Sequence, residues 1–185
     1  DRYHRDHDAL SSEELGRMKT QYGKEQREWL KQALLACKSL RQFTFKIIVT
    51  GGQVITDFGG RSETFGLYPE ERDDLLEFIK RHDITGVIFL TGDVHFTELA
   101  RKKLTETQWI YELTSSPMSS GAWNNVGKSK RSKDPQRVEG TLVADQNFTK
   151  LSFSGSRKER VLTITCIDKT GTVRWTRDIP ASDLR

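Results

Sequence analysis

Apolar positions recur along this chain with two periods, and the change from one to the other marks its elements. Trp29, Leu30, Ala33, Leu34 and Cys37 fall at helical spacing, so residues 24–39 are predicted to form a helix with one apolar face. Gly23 just before it suits a turn. Residues 43–50 (FTFKIIVT) read as a strand ended by Gly51-Gly52. Pro69 fits the first turn of a second helix over 70–82, with Leu75, Leu76 and Ile79 on its inner face. Residues 86–91 (GVIFLT) are a continuous apolar run, as expected of a strand buried on both faces. Strand, helix and strand in that order predict a β–α–β unit with parallel strands.

After residue 95 the pattern changes. Residues 109–114 (WIYELT) read as a short apolar strand and 115–121 (SSPMSSG) as a loop. Residues 122–146 are basic and poor in apolar positions, and connections of that length are usually functional or mobile. Three strand-like runs follow, over 148–153, 160–168 and 172–179. Leu162, Ile164 and Cys166 alternate with Thr163 and Thr165, which gives one buried and one wet face. Asp168-Lys169-Thr170-Gly171 has the chemistry of a hairpin turn. The C-terminal third is therefore expected to be antiparallel β, and the whole chain mixed α/β. The expected organisation is a lead-in (1–23), a β–α–β core (24–121), a basic loop (122–147) and antiparallel strands (148–185).

Composition narrows this picture. With 185 residues, the chain is long enough to bury a core. It is 35% hydrophobic and 30% charged, and no run has the length of a transmembrane helix. Its formal charge is +4. Much of that excess lies in 128–137 (KSKRSKDPQR), which reads as a solvated loop; no aromatic residues interleave with it, so nucleic acid is not the expected partner. Cys37 and Cys166 form no metal-binding pair and read as buried free thiols.

The chemistry concentrates in Gly92-Asp93-Val94-His95. A buried strand that ends this way presents a carboxylate and an imidazole at its C-terminal tip, where open α/β sheets bind ligands. Both groups are ligands for Zn, Fe or Mn. The plainer alternative is a glycine turn followed by two polar residues.

Six segments, in order, carry a resemblance. They are Arg2-Tyr3-His4-Arg5-Asp6; Tyr22-Gly23-Lys24-Glu25-Gln26-Arg27-Glu28-Trp29-Leu30; Phe45-Lys46-Ile47-Ile48-Val49 with Gly51-Gly52-Gln53-Val54; Tyr68-Pro69-Glu70-Glu71-Arg72; Phe89-Leu90-Thr91-Gly92-Asp93-Val94-His95-Phe96; and Glu112-Leu113-Thr114-Ser115-Ser116-Pro117. Together they resemble the C-terminal half of PhoD-like alkaline phosphatases, a branch of the calcineurin-like metallophosphoesterases. The resemblance implies the C-terminal half of a four-layer αββα sandwich, in which two mixed sheets pack face to face with helices outside. It implies a phosphatase or phosphodiesterase in which a metal-activated hydroxide attacks phosphorus. It also implies an exported protein, periplasmic or at the cell surface.

On the same resemblance, His95 stands where the superfamily has a ligand to one metal, expected to be Fe, Zn or Mn. Asp93 takes the place of a second imidazole. Gln53 falls near a further ligand position, where its amide oxygen with Asp93 would favour Ca, Mg or Mn at the other metal. A turn amide bonded to the backbone is the alternative for Gln53. Arg2 and Arg5 are candidates for holding the substrate phosphate, with surface salt bridges as the commoner fate of such residues. His4 and His7 read as surface groups, and His82 as a structural residue at a helix end. Glu63 and Tyr68 precede the second helix and are weaker site candidates. Ser115 and Ser116 lack the partners of a nucleophilic serine.

Apart from Gly92-Asp93-Val94-His95 itself, these 185 residues hold no Asp-x-His or Gly-Asp and no Asn-His or Asp-Asp-His, so the metal motifs of the superfamily's N-terminal half are not matched. The expectation is therefore one part of a larger phosphoesterase, partnered by the missing half of its own chain and inactive in isolation. The alternative is a non-catalytic binding module that kept the scaffold.

Overall fold

The computed structural model describes residues 5–7, 9–40, 42–56 and 64–184. Helix α1 (Gly23–Ser39) is followed by β1 (Lys46–Val49), α2 (Pro69–Arg81) and β2 (Val87–Thr91). Pro69 opens α2, Glu70 and Glu71 occupy its first turn and Lys80 and Arg81 its last, so charge follows the helix dipole at both ends. Strand β1 pairs with β2 in parallel, as the β–α–β pattern predicts. Gly86 makes the close start of these strands possible. Its φ is +77°, its carbonyl accepts from Lys46 N–H, and a Cβ there would lie 2.0 Å from the Thr44 carbonyl oxygen.

Strand β4 (Trp109–Thr114) pairs with β2 in parallel, and β3 (Glu98–Lys103) is antiparallel to β4. The first sheet therefore runs β1-β2-β4-β3. Strands β5 (Asn147–Ser154), β6 (Val161–Asp168) and β7 (Val173–Pro180) form a second, antiparallel sheet in sequence order. The turn into β7 is closed by Gly171 N–H to the Asp168 carbonyl, with Gly171 at φ +85°.

Two cores hold these layers together. Ile88, Leu99, Tyr111 and Leu113 of the first sheet meet Leu162, Ile164, Cys166, Trp175 and Ile179 of the second. On the other face, Val87, Phe89 and Ile110 pack with Leu34, Leu75, Phe78 and Ile79 of the two helices. The order is helices, mixed sheet, antiparallel sheet, so the α/β sandwich expectation holds.

Four expectations need correction. Strand β3 carries no pattern that the sequence betrays: it begins with buried Glu98 and ends in Arg101-Lys102-Lys103. Trp29 does not join the core. It is 67% exposed and borders Val49, while Leu34 of the same helix is the side chain that enters the core. Cys37 is only half-buried, whereas Cys166 is buried. Most consequentially, 128–137 is not simply a solvated loop. Lys128, Lys130 and Lys133 are exposed, but Arg131 and Asp134 are buried and Arg137 turns its side chain inward.

Candidate metal centre

The tip of β2 is fixed on both sides. Gly92 N–H donates to the Gly51 carbonyl (3.2 Å), and Ser115 N–H donates to the Thr91 carbonyl (2.9 Å). From this base the chain makes a γ-turn: Val94 N–H donates to the Gly92 carbonyl at 2.9 Å, with Asp93 between them at φ +71°. His95 follows at φ +62°. Neither residue is glycine, so each costs about 1–3 kcal/mol of backbone strain. Both side chains are exposed. Strain at two exposed ligand-type residues with one residue between them points to a role outside stability.

The His95 ring is oriented by a carbonyl. Its Nδ1 lies in hydrogen-bond contact with the Gly121 carbonyl oxygen. A carbonyl only accepts, so Nδ1 carries the proton and the neutral ring keeps its lone pair on Nε2. Metal-ligating histidines commonly use this arrangement. The main chain of His95 is held as well, its carbonyl accepting from Trp123 N–H at 2.8 Å.

Beneath the tip lies a buried polar layer. Glu112, on β4, accepts from Val54 N–H (2.9 Å) and Ile55 N–H (2.6 Å) through Oε2, and from the Thr91 hydroxyl (3.3 Å) through Oε1. Burial pushes its carboxyl up to about 7, against the two backbone donors. Gln53 is 1% exposed and lies within this layer. Its amide nitrogen donates to Glu98 (2.7 Å) and to Thr114 (3.0 Å), while its oxygen accepts from Arg131 Nη1 (2.9 Å). Glu98 also takes Arg137 Nε. Burial raises the Glu98 carboxyl, with Arg137 opposing it, and burial lowers the Arg131 guanidinium. Glu98, Glu112, Arg131 and Arg137 form the part of the site that sequence reasoning missed. Glu112 sits in a matched motif, but the two arginines lie in a charge run that ordinarily faces water.

The remaining candidates are scattered. Arg2, His4 and Glu63 lie outside the described residues. Arg5 is half-buried in the lead-in. The next residue, Asp6, holds Arg17 and accepts from Thr20 N–H (2.8 Å), and its carboxyl is lowered to about 2, chiefly by Arg17. His7 Nδ1 accepts from Ala9 N–H at 3.1 Å. Tyr68 is buried, and its hydroxyl donates to the Asp6 carbonyl at 3.0 Å, which makes it a fixture of the fold. His82 ends α2 with its ring 4.4 Å from that of Phe78. The Ser116 carbonyl accepts from the Thr97 hydroxyl.

The donor set at the tip, one carboxylate and one oriented imidazole, fits a transition metal as part of a site. Among the described residues no group of three or more His, Cys, Asp or Glu side chains is placed to hold a metal ion.

The fold is thus a mixed sheet backed by an antiparallel one, with a carboxylate and an imidazole at the tip of β2. The model of the PhoD-like phosphatase family matches residues 2–165, and the chain belongs to that family. Its fold is similar to a solved structure described as the structure of PhoD, at TM-score 0.65 and 16% identity. That likeness covers 95% of this chain but 40% of the other. No curated protein matches.

Proposed function

We propose that these residues supply the C-terminal part of a metal-dependent phosphoric ester hydrolase, with His95 Nε2 and the Asp93 carboxylate as ligands. Family membership over 2–165 supports the reaction class. The observation that carries the site is the His95 ring, whose Nδ1–H is committed to Gly121, which leaves the Nε2 lone pair to serve as a ligand. When bound, the metals supply Lewis acidity that activates water and draws charge from the phosphoryl oxygens. The chain's own part is to hold the two donors on a rigid strand end and to keep the imidazole in one tautomer. In this reading Gln53 supports the layer beneath, because its oxygen already faces a guanidinium.

The partner in this reading is the N-terminal part of the same protein. Its support is the matched fold, of which this chain spans 40%, together with an open sheet edge. Strand β1 pairs only with β2 among the described residues, and Val49 on it is 74% exposed beside Trp29. On family grounds we place the protein outside the cytoplasm; no described helix is long and apolar enough to cross a membrane.

Hydrolysis of p-nitrophenyl phosphate by the full-length protein and its His95→Ala variant tests the assignment. The expected result is a fall in kcat of at least 100-fold, since a ligand is removed rather than a supporting group. A variant that keeps its parent's rate contradicts it.

A further inference from the structure

The clamp on His95 needs its own support. Gly121 and Trp123 hold the imidazole and the main chain of His95, yet both lie in a loop with no strand of its own. The Trp123 ring leans on Phe96, the residue after His95, with centroids 5.9 Å apart. Arg131 completes this contact: its guanidinium carbon is 5.7 Å from the Phe96 centroid and 5.9 Å from that of Trp123. Both separations suit a cation facing an aromatic ring. The same guanidinium donates to Gln53 Oε1 at 2.9 Å. Gln53 follows the Gly51 carbonyl that receives Gly92 N–H.

One buried side chain therefore touches the residue behind His95, the loop that clamps His95, and the turn that braces Gly92. Arg131 itself is held by a short turn, Lys130–Lys133, in which Ser129 Oγ accepts from Arg131 N–H at 3.2 Å. It is 6% exposed, so it stands behind the tip rather than facing a substrate. A planar, permanently charged group is needed to meet two rings and an amide oxygen at once; a lysine ammonium has no plane to offer.

We infer that Arg131 is a positioning residue for His95. It pins the loop so that the Gly121 carbonyl fixes the ring and aims Nε2 at a metal. The inference rests on the proposed ligation by His95.

The test uses the full-length protein with Zn²⁺ as the probe, its affinity measured by competition with a chromogenic chelator. Arg131→Met is expected to weaken zinc binding about 10–100-fold and to lower kcat, with KM for p-nitrophenyl phosphate unchanged. Arg131→Lys is expected to recover little of the loss. Trp123→Ala removes one ring of the contact from a partly exposed position, keeps the buried charges, and is expected to weaken zinc binding in the same direction; it decides the matter if the Arg131 variants do not fold. Zinc affinity within twofold of the parent in Trp123→Ala and in every folded Arg131 variant overturns the inference. So does a rise in KM alone, which would make Arg131 a substrate contact. His95→Ala is measured in parallel. Undiminished zinc binding in that variant sinks the ligation reading itself, and the inference with it, whereas a loss there with no effect of the other variants sinks the inference alone.

Discussion

Asp93 and His95 spend stability on position. Each sits at positive φ without being glycine, and Asp93 is the centre of a γ-turn. Asp93→Gly should therefore relieve strain. In chelator-treated full-length protein it is expected to raise stability by about 1 kcal/mol in urea unfolding, while phosphatase activity falls. A variant that is less stable than its parent without metal would show that the Asp93 side chain earns its place structurally. The candidate tip was legible in the sequence because an apolar strand ran straight into Gly-Asp-x-His. The strain was not, since nothing in those four letters requires positive φ at the second and fourth. Arg131 was hidden for a different reason: in a run of lysines and arginines the default is water, and only tertiary contact separates the inward arginines from the outward lysines.

At the scale of elements, Glu112 ties β4 to the turn after β1 and to the end of β2. Its carboxyl is raised to about 7 by burial, with the nearby Glu98 pushing the same way. The sign follows from linkage. Between about pH 4.5 and 7 the unfolded chain loses the Glu112 proton while the folded chain keeps it. Stability from this group is therefore full below that window and declines through it as pH rises, by up to roughly 3 kcal/mol. Glu112→Gln keeps an oxygen for Val54 and Ile55 and an amide for Thr91. It is expected to flatten the decline between pH 4.5 and 7 in full-length protein, measured by urea unfolding at each pH. An unaltered pH profile in Glu112→Gln would place the decline elsewhere. The element pattern itself was largely readable. Strands β2, β4 and β6 and helix α2 follow from apolar periodicity, the β1–β2 pairing from the β–α–β rule and the β6–β7 pairing from the hairpin turn. Strand β3 was not readable, because its inward positions include Glu98, whose partner Arg137 lies 39 residues further on.

On the scale of the molecule, the chain has its own two cores, yet it spans 40% of the solved structure it resembles. The polar layer under the β2 tip explains how a long, basic connection can be part of a site. Arg131 and Arg137 reach inward to Gln53 and Glu98, so the loop from Gly121 onward is anchored at its middle and holds His95 at its start. Trp29 marks where sequence reasoning failed at this scale. Helical spacing placed it inside, whereas α1 buries Leu34 and leaves Trp29 facing out. Periodicity identifies a helix face but not what lies opposite it.

The central claim is that the β2 tip holds a metal through His95. The most direct measurement is the metal content of full-length protein, purified without added chelator, compared with that of its His95→Ala variant. Loss of at least one equivalent of bound metal per chain in the variant, with the fold kept, is the expected result. Equal metal content in the two proteins would contradict it.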